Sequence, residues 1–325
     1  MEDDCWKPSA DMEILRQRAA IIAQIRQFFA VRGVLEVETP ILSAAGTVDV
    51  HIQSMTTQSH SAGYNDGSAW LHTSPEFAMK RLLCAGSGHI FQICKVFRAE
   101  ELGSRHNPEF SLLEWYRIEF SMLQLMAEVD ELLQELASQR LDLDESVYLS
   151  YQGAFESTVS LNPLLATATE LQACLEAAEV DIPNNCSRSD LLDLTMSLMV
   201  EPRLPKHALV FIYHYPADQA ALAKINSNDP SVALRFEVFL NGVELGNGFE
   251  ELQDCVEQTA RFEAEHSLRA QQGKQQVPID CNFLAGLSEG LPRCSGVAIG
   301  VDRLLMALLE KEGIAEVVSF SAENA

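Results

Sequence analysis

No apolar run in this chain approaches the roughly 18 residues needed to cross a bilayer, so a transmembrane helix is excluded. The opening MEDDCWKPSADM has no basic stretch followed by an apolar one; no secretory signal is read, and a cytoplasmic protein is expected. The cysteines (Cys5, Cys84, Cys94, Cys174, Cys186, Cys255, Cys281 and Cys294) are scattered, with no C-x-x-C pair. That spacing argues against a zinc site and against a disulfide-stapled scaffold, and most are expected to be small buried hydrophobes. There is no basic tract: 23 Lys and Arg stand against 47 Asp and Glu, a formal charge of -24. Nucleic-acid binding draws its affinity from clustered Lys and Arg, so a tRNA-sized polyanion is a poor partner. A cationic small molecule or a Lys-bearing protein suits this field better. Internal repeats, low-complexity tracts and any evident Ser-His or Cys-His nucleophile are lacking too.

What the chain does hold is centred on Arg235 to Leu252, RFEVFLNGVELGNGFEEL. Asn-Gly between alternating apolar residues is the strongest short-range hairpin signal. A two-residue turn at Asn241-Gly242 sets Leu240 opposite Val243 and Phe239 opposite Glu244. Side chains alternate along a strand, so Glu237 shares a face with Phe239 and projects diagonally from Glu244. Two carboxylates this close repel, and a cation between them removes the conflict. A solvated hairpin with scattered acids is the plainer alternative. The direction of Glu251 does not follow, because the Gly-Asn-Gly run is expected to break the pleat.

Residues 11–32 read as a long helix capped by Ser9 or Asp11 and stopped at Gly33, with an apolar stripe of Leu15, Ala19, Ile22, Ile25 and Phe29. The strand VLEVETP follows, ended by Pro40. Thr73-Ser74-Pro75-Glu76 starts a helix, with Ser74 as cap and Pro75 at the first helical position. Glu76 there either complements the helix dipole or binds a ligand. HIFQICKVFR reads as a strand covered on both sides, delivering Arg98 and Glu100 into the polar loop AEELGSRHNP. EFSLLEWYR returns with Phe110, Leu112, Glu114 and Tyr116 on one face, where the carboxylate and phenol either satisfy each other or hold something.

Ser121-x-x-Gln124 is a capping box opening a helix to about Arg140. Residues 141–207 read as a helical section, with starts at Thr167-x-x-Glu170 and at Ser187 or Ser189. Residues 208–213 form a strand, and 252–272 an amphipathic helix with Arg261 and Glu265 at i, i+4. Gly296 to Gly300 is an apolar strand feeding a helix whose first turn holds Arg303. A cation opposes the dipole there, and a phosphate at the same helix start removes the conflict. Hairpins outnumber strand-helix-strand units, so the expected fold is α+β, an antiparallel sheet flanked by helices in one domain.

Together these motifs resemble the catalytic domain of class II aminoacyl-tRNA synthetases, nearest the lysyl branch. The long helix with GVLEVETP is similar to their first motif, which builds a dimer interface, so a homodimer through residues 11–40 is implied. FRAE with RHNPEF is similar to the second motif and GVAIGVDRL to the third. TSPE, LLEWY and ELGNGFEEL resemble the lysyl-type amino-acid pocket. Three departures matter. The first motif begins almost at once, so no anticodon-binding barrel is expected and residues 1–325 are read as a single catalytic domain. Ala298 stands where lysyl synthetases have Gly, and Ala99 where that branch usually has Asn. The combination resembles the family's truncated paralogues, which attach (R)-β-lysine to a lysine of elongation factor P.

The resemblance implies a ligation in two steps, with ATP as substrate and Mg²⁺ as cofactor. The carboxylate of a lysine-like amino acid attacks the α-phosphorus of ATP and releases pyrophosphate. The ε-amine of a lysine on elongation factor P then captures the acyl group and releases AMP; no stable tRNA and no membrane is involved. By the resemblance, Arg98 and Arg303 are the catalytic arginines at the α- and γ-phosphates, and Glu237 with Glu244 hold Mg²⁺. Ala99, Glu100, Asn107, Glu244, Leu245 and Gly300 bind the nucleotide, with Phe110 stacked under the adenine. Glu76, beside Ser74 and Pro75, takes the amine nearer the substrate carboxylate. Glu251, helped by Glu114 and Tyr116, takes the distal amine, and Asn247 belongs to the same pocket. The methyl of Ala298 on the pocket floor is worth about 1–3 kcal/mol of preference between α- and β-amino acids. A truncated lysyl-tRNA synthetase, an asparagine-type synthetase using ammonia and a catalytically silent regulatory subunit are the rival readings.

Overall fold

The computed structural model describes residues 6–58, 67–99 and 101–325. It divides into two compact units, Met1–Glu119 with Gln253–Ala325, and Phe120–Leu252. The first stretch supplies α1 (Met12–Val31), β1 (Leu35–Glu36), β2 (Leu42–Ser43), β3 (Thr56–Gln58), β4 (Ser68–Leu71), α2 (Glu76–Cys84), β5 (Ile90–Phe97) and β6 (Glu109–Ile118). The second unit holds α3 (Met122–Ala137), β7 (Val147–Ser150), α4 (Tyr151–Val159), α5 (Ala168–Ala177), α6 (Arg188–Thr195), β8 (Leu209–Tyr213), β9 (Arg235–Leu240) and β10 (Val243–Glu250). The chain then returns to the first unit with α7 (Cys255–Gln271), α8 (Cys281–Gly290), β11 (Cys294–Gly300) and α9 (Val301–Leu308). Strands are mostly antiparallel and helices flank them, the α+β class expected. Among the described residues no helix is long and apolar enough to cross a membrane.

In the first unit β5 pairs antiparallel with β6, and β6 with β11, while β1 runs parallel to β5. The expected strand at 34–40 shortens to two residues, although Leu35 N and Val37 N both donate to β5-side carbonyls, at 3.0 and 2.9 Å. Ile25 and Phe29 of the expected α1 stripe are buried, together with Ile21 and Phe28, while Leu15 and Ile22 are half-buried and Ala19 is exposed. Phe29 stacks on Phe91 at 4.6 Å and meets Trp115 edge-on at 5.2 Å, so the aromatic pair Phe28-Phe29 decides which face turns inward. Arg18 of α1 bonds Asp302 of α9 at 2.5 Å and Ser111 Oγ of β6 at 2.8 Å, and Asp302 accepts from Ser111 N at 2.7 Å. Three segments far apart in sequence are thereby tied by one buried carboxylate. Arg261 of α7 pairs with Glu257, and Glu265 instead accepts from Val50 N at 3.0 Å. The Glu-before-Arg order is the one a helix dipole favours.

In the second unit β10, β9 and β8 are antiparallel neighbours and β7 adds parallel to β8. β7 lies inside the stretch read as wholly helical. It is four residues long, and its last residue, Ser150, also caps α4 through Gly153 N at 3.0 Å, so strand and cap share one signal. The capping boxes at Ser121, Thr167 and Ser187 all form. Tyr151, Phe155, Leu171, Leu175, Leu192 and Phe239 belong to the apolar core of this unit. The cysteines are less buried than expected: among those described only Cys294 is buried, Cys281 is exposed, and the rest are intermediate.

Candidate active site

In the first unit, α2 begins at Glu76 with Pro75 as its N-cap, one residue later than the sequence suggests. Ser74 Oγ still accepts from Glu76 N at 3.0 Å, and it donates to Glu114 Oε2 at 2.6 Å. Tyr116 OH donates to the other oxygen, Oε1, at 2.7 Å. Glu114 is therefore a buried carboxylate of β6 held by two hydroxyls, with Gln92 directly opposite on β5 and Ala298 directly opposite on β11. Cross-strand partners share a face, so the Ala298 methyl and the Glu114 side chain project from the same side of the sheet. Burial pushes the Glu114 carboxyl up to about 7; the Glu76 charge adds to this, while Ser74, Tyr116 and Lys80 pull the other way. Lys80 Nζ lies 2.6 Å from Glu76 Oε1 and is 1% exposed. Sequence reading missed Lys80; its one signal was the i, i+4 spacing from Glu76.

Further along the same unit, Arg98 leaves the end of β5 with its backbone N bonded to Pro108 O at 2.9 Å, which closes the mouth of the polar loop. Its guanidinium lies 5.1 Å from the Phe110 ring centroid and 3.4 Å from Glu101. Ala99 N bonds Gln53 O at 2.8 Å. Asn107 uses its amide locally, donating to Glu109 O at 2.6 Å and accepting from Ala322 N at 2.9 Å. Gly300 caps α9 and Arg303 lies in that helix's first turn, in contact with His106 from the RHNP loop. The loop of the second motif and the helix of the third are thus in contact, through a histidine that sequence reading did not single out. Glu100 lies outside the described residues.

In the second unit the hairpin forms as the Asn-Gly signal dictates. Leu240 pairs with Val243 and Phe239 with Glu244, and Asn241 and Gly242 both adopt positive φ, as a type I′ turn requires. A Cβ on Gly242 would fall 2.8 Å from Glu201 O, so glycine is required on space as well as conformation. The second Gly-Asn-Gly run does not end the strand. Instead Gly246 pairs with Val238 and Asn247 with Glu237, a register shift that makes Leu245 an extra residue. Upstream of this bulge Glu244 shares a face with Glu237; downstream that face passes to Asn247, Phe249 and Glu251, and Glu250 turns the other way. Glu250 there accepts from Met122 N, at the start of α3, at 3.3 Å. Glu251 is 1% exposed.

Glu237 accepts from Tyr215 OH and from Arg235, each at 2.6 Å, and Arg235 reaches Asn247 Oδ1 at 3.3 Å. Burial raises the Glu237 carboxyl; Arg235 pulls it down, and the Glu244 charge pushes it up again. Each carboxylate oxygen keeps a second lone pair after one hydrogen bond. Two neighbouring carboxylates that oppose each other's ionisation are a fitting donor set for Mg²⁺, which takes one or two carboxylates together with substrate phosphates.

The order in which the chain supplies these parts, helix, arginine strand, carboxylate hairpin and capped C-terminal helix, is the order of a known family. The chain belongs to the tRNA synthetases class II (D, K and N), whose profile matches residues 5–324. Within reach of that profile, elongation factor P–(R)-β-lysine ligases are similar along their whole length. The one from Mannheimia succiniciproducens is 50% identical over 325 residues, covering 100% of this chain and 99% of that protein. Those from Salmonella paratyphi B and Salmonella heidelberg are 48% identical over 329 residues, covering 100% of this chain and 99% of each.

Proposed function

We propose that this protein is an ATP-dependent ligase that activates (R)-β-lysine, or lysine, as an acyl-adenylate and passes it to a lysine ε-amine of elongation factor P. The observation that carries the reading is the full-length similarity, at about half identity, to ligases named for that reaction. A buried carboxylate next to a second carboxylate, with a methyl-bearing Ala298 on the same strand face, supports an amine-bearing substrate.

Adenylate formation needs charge on the phosphates cancelled as the α-phosphorus is attacked. In this reading the Arg98 guanidinium cancels it at the α-phosphate and Arg303 at the γ-phosphate, with His106 fixing the direction of Arg303. Phe110 offers a stacking face to adenine, and Ala99, Glu100, Asn107, Leu245 and Gly300 complete the nucleotide contacts. Glu237 and Glu244 would hold Mg²⁺, which supplies Lewis-acid neutralisation of the phosphates. Glu76 with Ser74 and Pro75 takes one substrate amine, and Glu251, Glu114, Tyr116 and Asn247 the other. Both steps proceed without a covalent bond to the enzyme. The protein is read as cytoplasmic, independent of tRNA, and dimeric through residues 11–40; the exposed apolar side chains of Met12, Val31 and Leu35 support that surface. Amino-acid-dependent exchange of pyrophosphate into ATP, followed by mass spectrometry of elongation factor P, tests the reading. Acylation of tRNA with no mass added to elongation factor P would refute it.

A further inference from the structure

The ammonium of Lys80 has no part in the roles assigned above, yet its environment is unusual. It is 1% exposed and bonded to Glu76 at 2.6 Å, and its Nζ lies 5.9 Å from the Phe283 ring centroid. An exposed i, i+4 ion pair contributes only about 0.3–0.5 kcal/mol, whereas taking an ammonium out of water costs several kcal/mol. Helix stabilisation alone therefore does not account for a lysine here. Among the described residues, the charged and titratable groups that act on Glu114 within its unit are Glu76 and Lys80 from α2, Tyr116 from β6 and Cys94 from β5, with the neutral side chains of Ser74 and Gln92 beside them. With the phenol and thiol neutral, two carboxylates and one ammonium leave a single net negative charge.

Resting on the ligase reading, we infer that Lys80 is a positioning residue of the amino-acid pocket. It is an internal ammonium that holds the Glu76 carboxylate and cancels one of the two acidic charges of Glu76 and Glu114, so that these two, together with the proposed acceptor Glu251, match the two ammonium groups of the substrate. Its removal leaves Glu76 and Glu114 facing each other with no cation between them. One of the two then keeps a proton at neutral pH, and the pocket loses attraction for the substrate amine.

The test is pyrophosphate exchange by the full-length protein with L-lysine and with (R)-β-lysine, followed from about pH 6 to pH 9. In the wild type the KM for the amino acid rises as pH falls through about 7, where Glu114 takes up its proton. Lys80→Met moves that acid limb up by about one pH unit and raises the KM roughly tenfold at pH 7, with the KM for ATP unchanged within about twofold. Lys80→Arg, which keeps the charge, restores most of the wild-type profile. Glu76→Gln moves the limb the opposite way, to lower pH, because Glu114 then faces Lys80 unopposed. A structural lysine would lower kcat at every pH and leave the limb in place. Exchange by the wild type with an unmoved limb in K80M overturns the inference and leaves the ligase reading intact. Should K80M not fold, an unmoved limb in E76Q overturns the inference by itself. No exchange by the wild type with either amino acid overturns both.

Discussion

Replacing Glu114 by Gln gives a stability change whose size and pH dependence both follow from the structure. Folding carries this carboxyl from an ordinary 4.5 to about 7, chiefly by burial. The folded state therefore keeps the proton to higher pH than the unfolded chain does. The stabilisation is present in acid and is lost as pH rises toward 7. At about 1.4 kcal/mol per pKa unit, the interval corresponds to about 3 kcal/mol. Glutamine does not titrate, and its amide can still meet the Ser74 and Tyr116 hydroxyls. Any fixed cost of the substitution is then common to all pH values, and the pH-dependent part isolates the charge. With an unfolding entropy of about 2.1 cal/mol/K per residue, 3 kcal/mol corresponds to a melting shift of about 4 °C for a chain of this length. Thermal melts of wild type and Glu114→Gln at pH 4.5 and pH 8 should show the variant gaining about 4 °C on the wild type across that interval. Melting curves that keep a constant offset would mean that Glu114 titrates alike in the folded and the unfolded protein, without the upward shift, and the account of the site would fall with it.

Three further outcomes are expected. Glu251→Gln should raise the KM for the amino acid at least tenfold while changing that for ATP by less than about threefold, since removing one partner of a buried ammonium costs several kcal/mol; equal losses in both would reject the role given to Glu251. Glu237→Gln should weaken Mg²⁺-dependent nucleotide binding by an order of magnitude or more, measured by calorimetry with and without Mg²⁺, and an unchanged Mg²⁺ requirement would reject that ligand. Val31→Asp with Leu35→Asp should shift light-scattering mass from dimer to monomer; an unaltered mass would place the interface elsewhere.

What sequence could reveal was decided by how local each signal is. The Asn241-Gly242 turn and the helix starts at Ser121 and Thr167 are complete within four residues and form as read, and of the two starts open at Ser187 and Ser189 the structure takes Ser187. The strands 89–98 and 109–117 and the shared face of Glu114 and Tyr116 were legible because alternation fixes a face. The facing of Glu251 was not, because Leu245 carries no mark that it is a bulge residue; only the pairing of Gly246 with Val238 shows it. β7 was hidden because four residues give too little periodicity. The α1 stripe was right at Ile25 and Phe29 and missed Ile21 and Phe28, because the packing of Phe29 on Phe91 and Trp115 turns the inward face toward them. Lys80 was passed over because an i, i+4 Glu-Lys pair on a helix is ordinary until it is known to be buried.

The extra residue at Leu245 divides labour between two neighbouring, chemically identical acids. Odd and even positions exchange faces there, so Glu250 fastens the start of α3 while Glu251 is offered with Asn247 and Glu237. Counting, not chemistry, separates a helix anchor from the acid proposed to accept the substrate amine. Downstream of the bulge the hairpin should accordingly accept many changes of side chain but no change of length. Deleting Leu245 itself would keep Asn247 opposite Glu237 and each glutamate on its present face, whereas deleting Gly248 would hand each glutamate the other's position, costing amino-acid use and the α3 anchor together.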